Sequence, residues 1–489
     1  MKSQQSQRVA IHRRLNDPSR LLLSQVRHKN KSPPKTLFIP LMCLLLVSTL
    51  KATPQETPNK ITSTKEQTEA KNQLNQGQKD PFFPFPPQTG KVKIFDGDSN
   101  DMFYWIFPAQ ESPETAPVLI WLQGGPGCSS TGGIFTEIGP FYFSGWNQTK
   151  AQYRPVNWNQ KANTLFVDQP LGTGFSTVTA ERVVKNHQEV GNQFLLFYEG
   201  FLEQHPEFKG RDLYVSGESY GGHWVPFTAH TLHKSNNPDI RLKGIAIGNG
   251  YLDPYSDYVR MPDFAYKYRN FTHLSEDLWI KYKKMGELCL HMSNFRPYNR
   301  YYTFTALEVC EGGVSGGIID NAFKFVPKFD QYYMPSNRPT NESFVPFLNS
   351  EAVQKYLKVN KTYADCNDTF GDYFVKLDNF VDSREMIIPL LHDGVKVMVY
   401  NGALDFICNY DMQEASFAAM DWRGINEWNK IDLKDCEYGL CKEHLNLRYV
   451  RFAGAGHMVP IFFPEKSRDM INSFMEWDWK KGNNQEEDL

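Results

Sequence analysis

Short, continuous apolar runs recur along the chain, each followed by turn residues. Val118-Leu-Ile-Trp-Leu-Gln123, Thr164-Leu-Phe-Val-Asp168, Leu213-Tyr-Val215, Leu242 to Gly248, Val395 to Tyr400 and Leu447 to Phe452 are such runs. Runs this short, without alternation, predict strands buried on both faces. Between them lie amphipathic stretches. Asn192 to Glu203 places Phe194, Phe197 and Phe201 on one face, Thr228 to Leu232 continues as helix, and Pro464 opens a last helix carrying Met470, Phe474 and Trp477. Strands alternating with helices predict an α/β fold with a central, mostly parallel sheet covered on both sides.

From about Tyr251 to Phe380 the pattern changes. Aromatic residues are frequent there, strand runs are scarce, and a mainly helical cap inserted into the sheet domain is expected over residues 251–380. The core then has a first part, 81–250, and a second part, 381–480, followed by a polar tail at 481–489. Ahead of the core, residues 1–36 are basic and polar, and Leu37 to Leu50 is nearly all apolar. That run is short of the roughly 20 residues a spanning helix needs. With Ser48, Thr49 and Ala52 behind it, it reads as a signal-peptide core within a leader at 1–52, the alternative being an uncleaved anchor. Residues 53–80 lack apolar periodicity and predict a disordered linker or pro-segment. Pro81-Phe-Phe-Pro-Phe-Pro-Pro87 closes it, so regular structure is expected from about Lys91.

Composition narrows the class. A chain of 489 residues with 40% apolar and 14% aromatic content fills a large core, and a net charge of -2 without a basic run in the body argues against nucleic acid as a partner. Eight cysteines, with Cys43 in the leader, leave an odd number in the body, which allows three disulfides and one free thiol. Sequons at Asn147, Asn270, Asn341, Asn360 and Asn367 point to the secretory pathway.

Candidate chemistry lies at the strand ends. Gly217-Glu-Ser219-Tyr-Gly221 follows an apolar run and precedes a helix, the pattern of a nucleophile elbow. Asp405 follows a later run, and His457 follows the last. Ser, Asp and His in that order at the carboxyl ends of strands form a candidate triad. His457 would take the Ser219 proton, and Asp405 would orient and stabilise the imidazole. The turn after Val118–Gln123 offers the N–H of Gly125, and the elbow that of Tyr220, as an oxyanion hole.

These segments carry a resemblance. Trp121-Leu-Gln-Gly-Gly-Pro-Gly-Cys-Ser-Ser130, Asp168-Gln-Pro-Leu-Gly-Thr-Gly-Phe-Ser176, Gly217-Glu-Ser-Tyr-Gly-Gly-His-Trp-Val-Pro226, Gly248-Asn-Gly250, Asn401-Gly-Ala-Leu-Asp-Phe-Ile-Cys-Asn409 and Gly454-Ala-Gly-His-Met-Val-Pro460 are similar to the serine carboxypeptidase family, over roughly residues 81 to 480. The resemblance implies an α/β-hydrolase core with a helical cap, and removal of C-terminal residues from peptides at acidic pH. It implies a lysosomal, vacuolar or extracellular setting. It also implies that Glu137 and Glu218 form a carboxyl pair that holds the substrate carboxylate with Gln123 and the backbone of Gly124. Gln123 stands where the commoner family pattern has Asn. Of the cysteines, Cys128 with Cys366 follows from the resemblance, Cys408 resembles a free thiol near the site, and Cys289 with Cys310 and Cys436 with Cys441 are the remaining pairs.

Two carboxyls in contact cannot both ionise cheaply, so one keeps its proton and can donate to a substrate carboxylate. The expected partners are peptides or proteins with a free C-terminus. A homodimer is admitted, and a membrane only if the leader is an uncleaved anchor. No metal or cofactor is implied. The alternatives on the same scaffold are an acyltransferase or esterase and a non-catalytic protective or binding homologue.

Overall fold

The computed structural model describes residues 80–96, 99–292, 304–336, 338 and 343–480. The leader, the linker up to residue 79, the polar tail at 481–489 and the sequon at Asn341 lie outside the described residues. Among those described, no helix is long and apolar enough to cross a membrane.

A ten-stranded sheet runs through the domain. Its strands are β1 (Gln88–Lys93), β2 (Asp101–Phe107), β3 (Val118–Leu122), β6 (Asn163–Val167), β7 (Asp212–Glu218), β8 (Arg241–Gly248), β9 (Lys396–Gly402), β10 (Lys434–Asp435), β11 (Leu440–His444) and β12 (Leu447–Phe452). The spatial order is β1-β2-β6-β3-β7-β8-β9-β12-β11-β10. The central strands β6, β3, β7, β8, β9 and β12 pair in parallel, and antiparallel strands flank them on both sides. Two short strands, β4 (Phe141–Tyr142) and β5 (Gln152–Tyr153), form a separate ribbon. This is an α/β-hydrolase architecture.

The continuous apolar runs have a simple cause. Alternate side chains of each central strand enter different cores. Ile120, Leu122, Val215, Ile245 and Val397 face one side, with Phe194, Phe197 and Phe201 of one helix and Trp224, Val225 and Leu232 of another. Leu119, Trp121, Tyr214, Ala246, Met398 and Tyr400 face the other, with Met470, Ile471 and Phe474 of the last helix. Each buried Phe or Leu contributes about 2 kcal/mol. The first helix, His187–Gln204, begins five residues before the expected stretch because Asn186 caps it: its side chain accepts the Glu189 N–H at 2.9 Å, and the Glu189 carboxylate takes the Asn186 amide in return.

Between the neighbouring strands β8 and β9 the chain leaves the sheet. The excursion is built largely of helices, among them Pro254–Lys267, Glu276–Met292, the π-helical Leu307–Gly316 and Gly317–Phe325. It has its own core around Tyr258, Phe264, Val314 and Ile318, which Phe406 and Tyr410 from beyond β9 join. Cys289 and Cys310 are disulfide-bonded within it, and Cys436 is bonded to Cys441 at the antiparallel edge of the sheet.

Ordered structure begins earlier than Lys91. Phe83 is fully buried, ringed by Trp105, Phe141, Phe347 and Tyr356, and Asp80 Oδ1 accepts the Phe82 and Phe83 N–H groups. The aromatic-proline run fills a gap in the domain instead of ending a linker.

Candidate active site

Strand β7 stops at Glu218, and Ser219 follows in the left-handed region with φ 64°. A non-glycine residue there costs on the order of 1–2 kcal/mol and persists only where its surroundings enforce it. Here Ser219 N donates to Gly248 O at 3.1 Å, and Ser219 O accepts from Gly222 N and Tyr251 N, each at 2.9 Å. The helix Gly221–Lys234 starts at once.

Strand β9, two places along the sheet from β7, ends at Gly402, and Asp405 lies three residues beyond, fully buried. From the end of β12, His457 turns back so that its Nδ1 sits 2.7 Å from Asp405 Oδ2. The Asp405 carboxylate also accepts from Asn249 Nδ2 at 2.9 Å, Ile407 N at 3.1 Å and Cys408 N at 3.3 Å. This fixes the imidazole through Nδ1 and leaves Nε2 for chemistry. Among the described hydrogen bonds none joins Ser219 to His457.

The loop after β3 lies against the elbow. A Cβ on Gly124 would stand 2.6 Å from Glu218 O and Tyr220 N and 2.7 Å from Ser219 Cβ, so only glycine permits this approach. Gly125 is exposed, and among the described residues neither its N–H nor that of Tyr220 donates to another group. Three adjoining links hold the loop: the Cys128–Cys366 disulfide, Ser129 N to Asp365 O at 2.7 Å and Asn367 N to Gly127 O at 2.8 Å.

Glu137 and Glu218 are buried beside each other. A hydrogen bond between the two carboxyls, for which one of them keeps its proton, enters the titration of both. Burial raises Glu137 to about 6, opposed by its interaction with Glu218 and by the charge of His457. Burial, then the Glu137 charge, pushes Glu218 well above the usual carboxylate range. Glu137 Oε2 and both Glu218 oxygens have no partner outside the pair. Gln123 reaches in from the end of β3: its Oε1 accepts from Trp121 Nε1 at 2.9 Å, and its Nε2 points to Glu137 Oε1 at 3.4 Å.

Two contributors escaped the sequence reading. Asn249 bridges two loops, with its Oδ1 accepting Gly402 N at 2.9 Å and its Nδ2 on Asp405. Its signal was the Gly248-Asn-Gly250 motif, which carried no role on its own. The Arg154 guanidinium binds Phe135 O at 2.6 Å and Gly139 O at 3.0 Å, on either side of Glu137. Burial lowers Arg154 to about 10, with the Glu137 charge opposing. Nothing in the sequence around Arg154 marked it.

Cys408 is buried and unbonded, and its sulfur, a His457 nitrogen and an Asp405 oxygen lie within 4.8 Å of one another. Burial, then the Asp405 charge, raises its thiol well above the ordinary range. The imidazole–carboxylate hydrogen bond already accounts for this cluster without a metal. Of the described sequon residues, Asn147, Asn270 and Asn360 are exposed. Asn367 differs: its Oδ1 caps the helix Asp368–Asp378, and its Nδ2 donates to Gly172 O at 3.3 Å.

Residues 77–477 match the family model described as serine carboxypeptidase. The chain belongs to the serine carboxypeptidase family. It is a hydrolase of that family and is 33% identical to serine carboxypeptidase-like 49 of Arabidopsis thaliana, over 79% of this chain and 76% of that one. It is 32% identical to the probable serine carboxypeptidase CPVL of Homo sapiens, covering 80% of this chain and 84% of that one. Its fold is that of Kex1Δp, a prohormone-processing carboxypeptidase from Saccharomyces cerevisiae, with a TM-score of 0.69 at 23% identity, over 80% of this chain and 91% of the other. In this serine carboxypeptidase family member, the elbow with Glu218 follows β7, the imidazole–carboxylate pair follows β9 and β12, and Glu137 ends the short helix Thr131–Thr136.

Proposed function

We propose that this serine carboxypeptidase removes single residues from the C-termini of peptides and proteins through an acyl-enzyme on Ser219. Attack of Ser219 Oγ on the last peptide carbonyl passes its proton to His457 Nε2, while Asp405 stabilises the imidazolium. The N–H groups of Gly125 and Tyr220 meet the developing oxyanion. His457 then gives the proton to the departing amine, the C-terminal amino acid leaves, and water enters by the reverse route. The Ser219–His457 hydrogen bond closes in the substrate complex, as catalytic hydrogen bonds often do.

The observation that carries the reading is the carboxyl pair. The Glu137 and Glu218 oxygens beside the nucleophile, Glu137 Oε1 with its Gln123 contact aside, have no partner outside the pair, so the hydrogen bond between them leaves buried oxygen unsatisfied. A buried unpaired polar group costs about 1–3 kcal/mol, so such a set is expected to have a ligand. A protonated carboxyl donates to the substrate's terminal carboxylate, and Gln123 and the Gly124 backbone complete the holder. Acid conditions keep that proton in place. The disulfides and exposed sequon residues support a setting in the secretory pathway, in a lysosome or vacuole or outside the cell.

The test compares a peptide with its C-terminally amidated twin at pH 5, for the wild type and Ser219→Ala. The free acid should be cleaved far faster, and a fluorophosphonate should label the wild type alone. Equal rates on both peptides would remove the exopeptidase claim.

A further inference from the structure

One charged side chain reaches the histidine loop from the inserted cap. Tyr332 lies over His457 with ring centroids 5.0 Å apart, and Tyr332 O accepts the His457 backbone N–H at 2.8 Å. The Arg338 guanidinium in turn lies over the Tyr332 ring, 4.8 Å from its centroid. Arg338 Nη1 is 4.0 Å from the sulfur of Met458, the residue after His457, and Arg338 Nε is 3.2 Å from Asp330 Oδ2. The side chain retains 16% exposure, so it is open to a ligand. Its charge also reaches Glu218, where it favours the ionised form. No role described so far uses this cation.

We infer that Arg338 selects the residue being released, favouring a C-terminal Glu or Asp over Lys or Arg. The inference rests on the carboxypeptidase reading above, with Glu137 and Glu218 holding the α-carboxylate. Once that carboxylate is seated and the scissile amine lies at His457, the side chain of the last residue faces the remaining wall. In this reading that wall is Tyr332, which covers His457, and Met458, with Arg338 touching both. A guanidinium offers five N–H donors in a fork that matches a carboxylate, and Asp330 engages one edge of it. Asp330 is itself satisfied, because its Oδ1 accepts Tyr332 N at 2.9 Å, so it competes poorly for a basic substrate side chain. A C-terminal Lys would instead meet a fixed like charge.

Peptides identical except for a last residue of Glu, Gln or Lys are compared at pH 5.5. A Glu side chain, with an ordinary pKa of about 4.3, is mostly ionised there. The wild type should show kcat/KM for Glu on the order of tenfold above the isosteric Gln, and further above Lys. Arg338→Gln should bring the Glu-to-Gln ratio to about one, and Arg338→Lys, which keeps the charge, should restore part of it. An unchanged ratio in Arg338→Gln overturns the inference. So does an equal loss on all three peptides, which would place Arg338 on the α-carboxylate or in the scaffold. Equal wild-type rates on all three overturn it too and leave the carboxypeptidase reading standing. No wild-type cleavage of any of them would remove that reading itself.

Discussion

Asn249 Nδ2 lies 2.9 Å from Asp405 Oδ2, and the same side chain accepts Gly402 N at 2.9 Å. One buried amide thus ties the end of β8 to the loop that carries Asp405, the carboxylate proposed to orient His457. It acts through Asp405 and is a positioning residue. Asn249→Ala would leave Gly402 N unpaired and remove one donor from Asp405. The expected result is a stability loss of about 2 kcal/mol and a fall in kcat of roughly tenfold to a hundredfold. KM should change little, because substrate holding is untouched. A steady-state analysis beside a thermal melt checks both, and Asn249→Asp should not rescue kcat, since it sets a second carboxylate against the first.

The carboxyl pair makes pH predictions of definite sign. Glu137 and Glu218 bind their protons more tightly in the folded protein than in the unfolded chain. Their contribution to stability is therefore fully present below the unfolded value near 4.5. It is lost as pH rises through the folded values, about 6 for Glu137 and well above the ordinary carboxylate range for Glu218. The melting temperature should fall between pH 5 and pH 7, and Glu218→Gln, which cannot ionise, should flatten that fall. KM for free-acid peptides should rise over the same interval, while that for ester substrates without a carboxylate should not. A pH-independent KM for free acids would show that the pair does not hold the carboxylate.

Legibility in the sequence followed the environment of each segment. Central strands such as Val118–Leu122 are buried on both faces, so their apolar runs announce themselves. Strand Leu440–His444, next to the edge, is polar and half-buried, and only its pairing with β12 and β10 makes it a strand. Phe83 is buried, yet its run of prolines and phenylalanines has no strand or helix period. The turn at Ser219 and the contact of His457 with Asp405 were legible because each residue follows an apolar strand with glycines nearby. Arg154 and Arg338 were not: Arg154 reaches backbone carbonyls on either side of Glu137, and Arg338 meets the His457 loop by way of Tyr332, a sequence neighbour whose ring only the fold lays on that imidazole.

Gly124 gives a steric prediction. The nearest atoms to an added Cβ belong to the elbow backbone and to Ser219 Cβ, at 2.6–2.7 Å, and none is the end of a flexible side chain. Gly124→Ala must therefore shift the loop away from Ser219. The Gly125 N–H would leave the oxyanion position, and kcat should fall about a hundredfold or more. A fluorophosphonate should still label Ser219 slowly, because the nucleophile and its base remain. Wild-type turnover in this variant would mean that the loop does not contribute the oxyanion donor.

The Cys128–Cys366 disulfide joins that same loop to the chain returning from the insertion, across 238 residues of sequence. Closing so long a loop in the unfolded chain is worth about 5 kcal/mol in the chain-entropy account. Paired serines at both positions should lower the melting temperature by several degrees or prevent folding at 37 °C. The backbone links from Ser129 and Asn367 remain in that variant, so a folded fraction recovered at low temperature should keep part of its activity. The Cys436–Cys441 bridge, spanning five residues at the edge of the sheet, serves as the control. It closes a short loop remote from the elbow, and serines there should cost less stability and leave kcat unchanged. A variant lacking Cys128–Cys366 that melted and turned over like the wild type would show that the backbone links alone hold the loop.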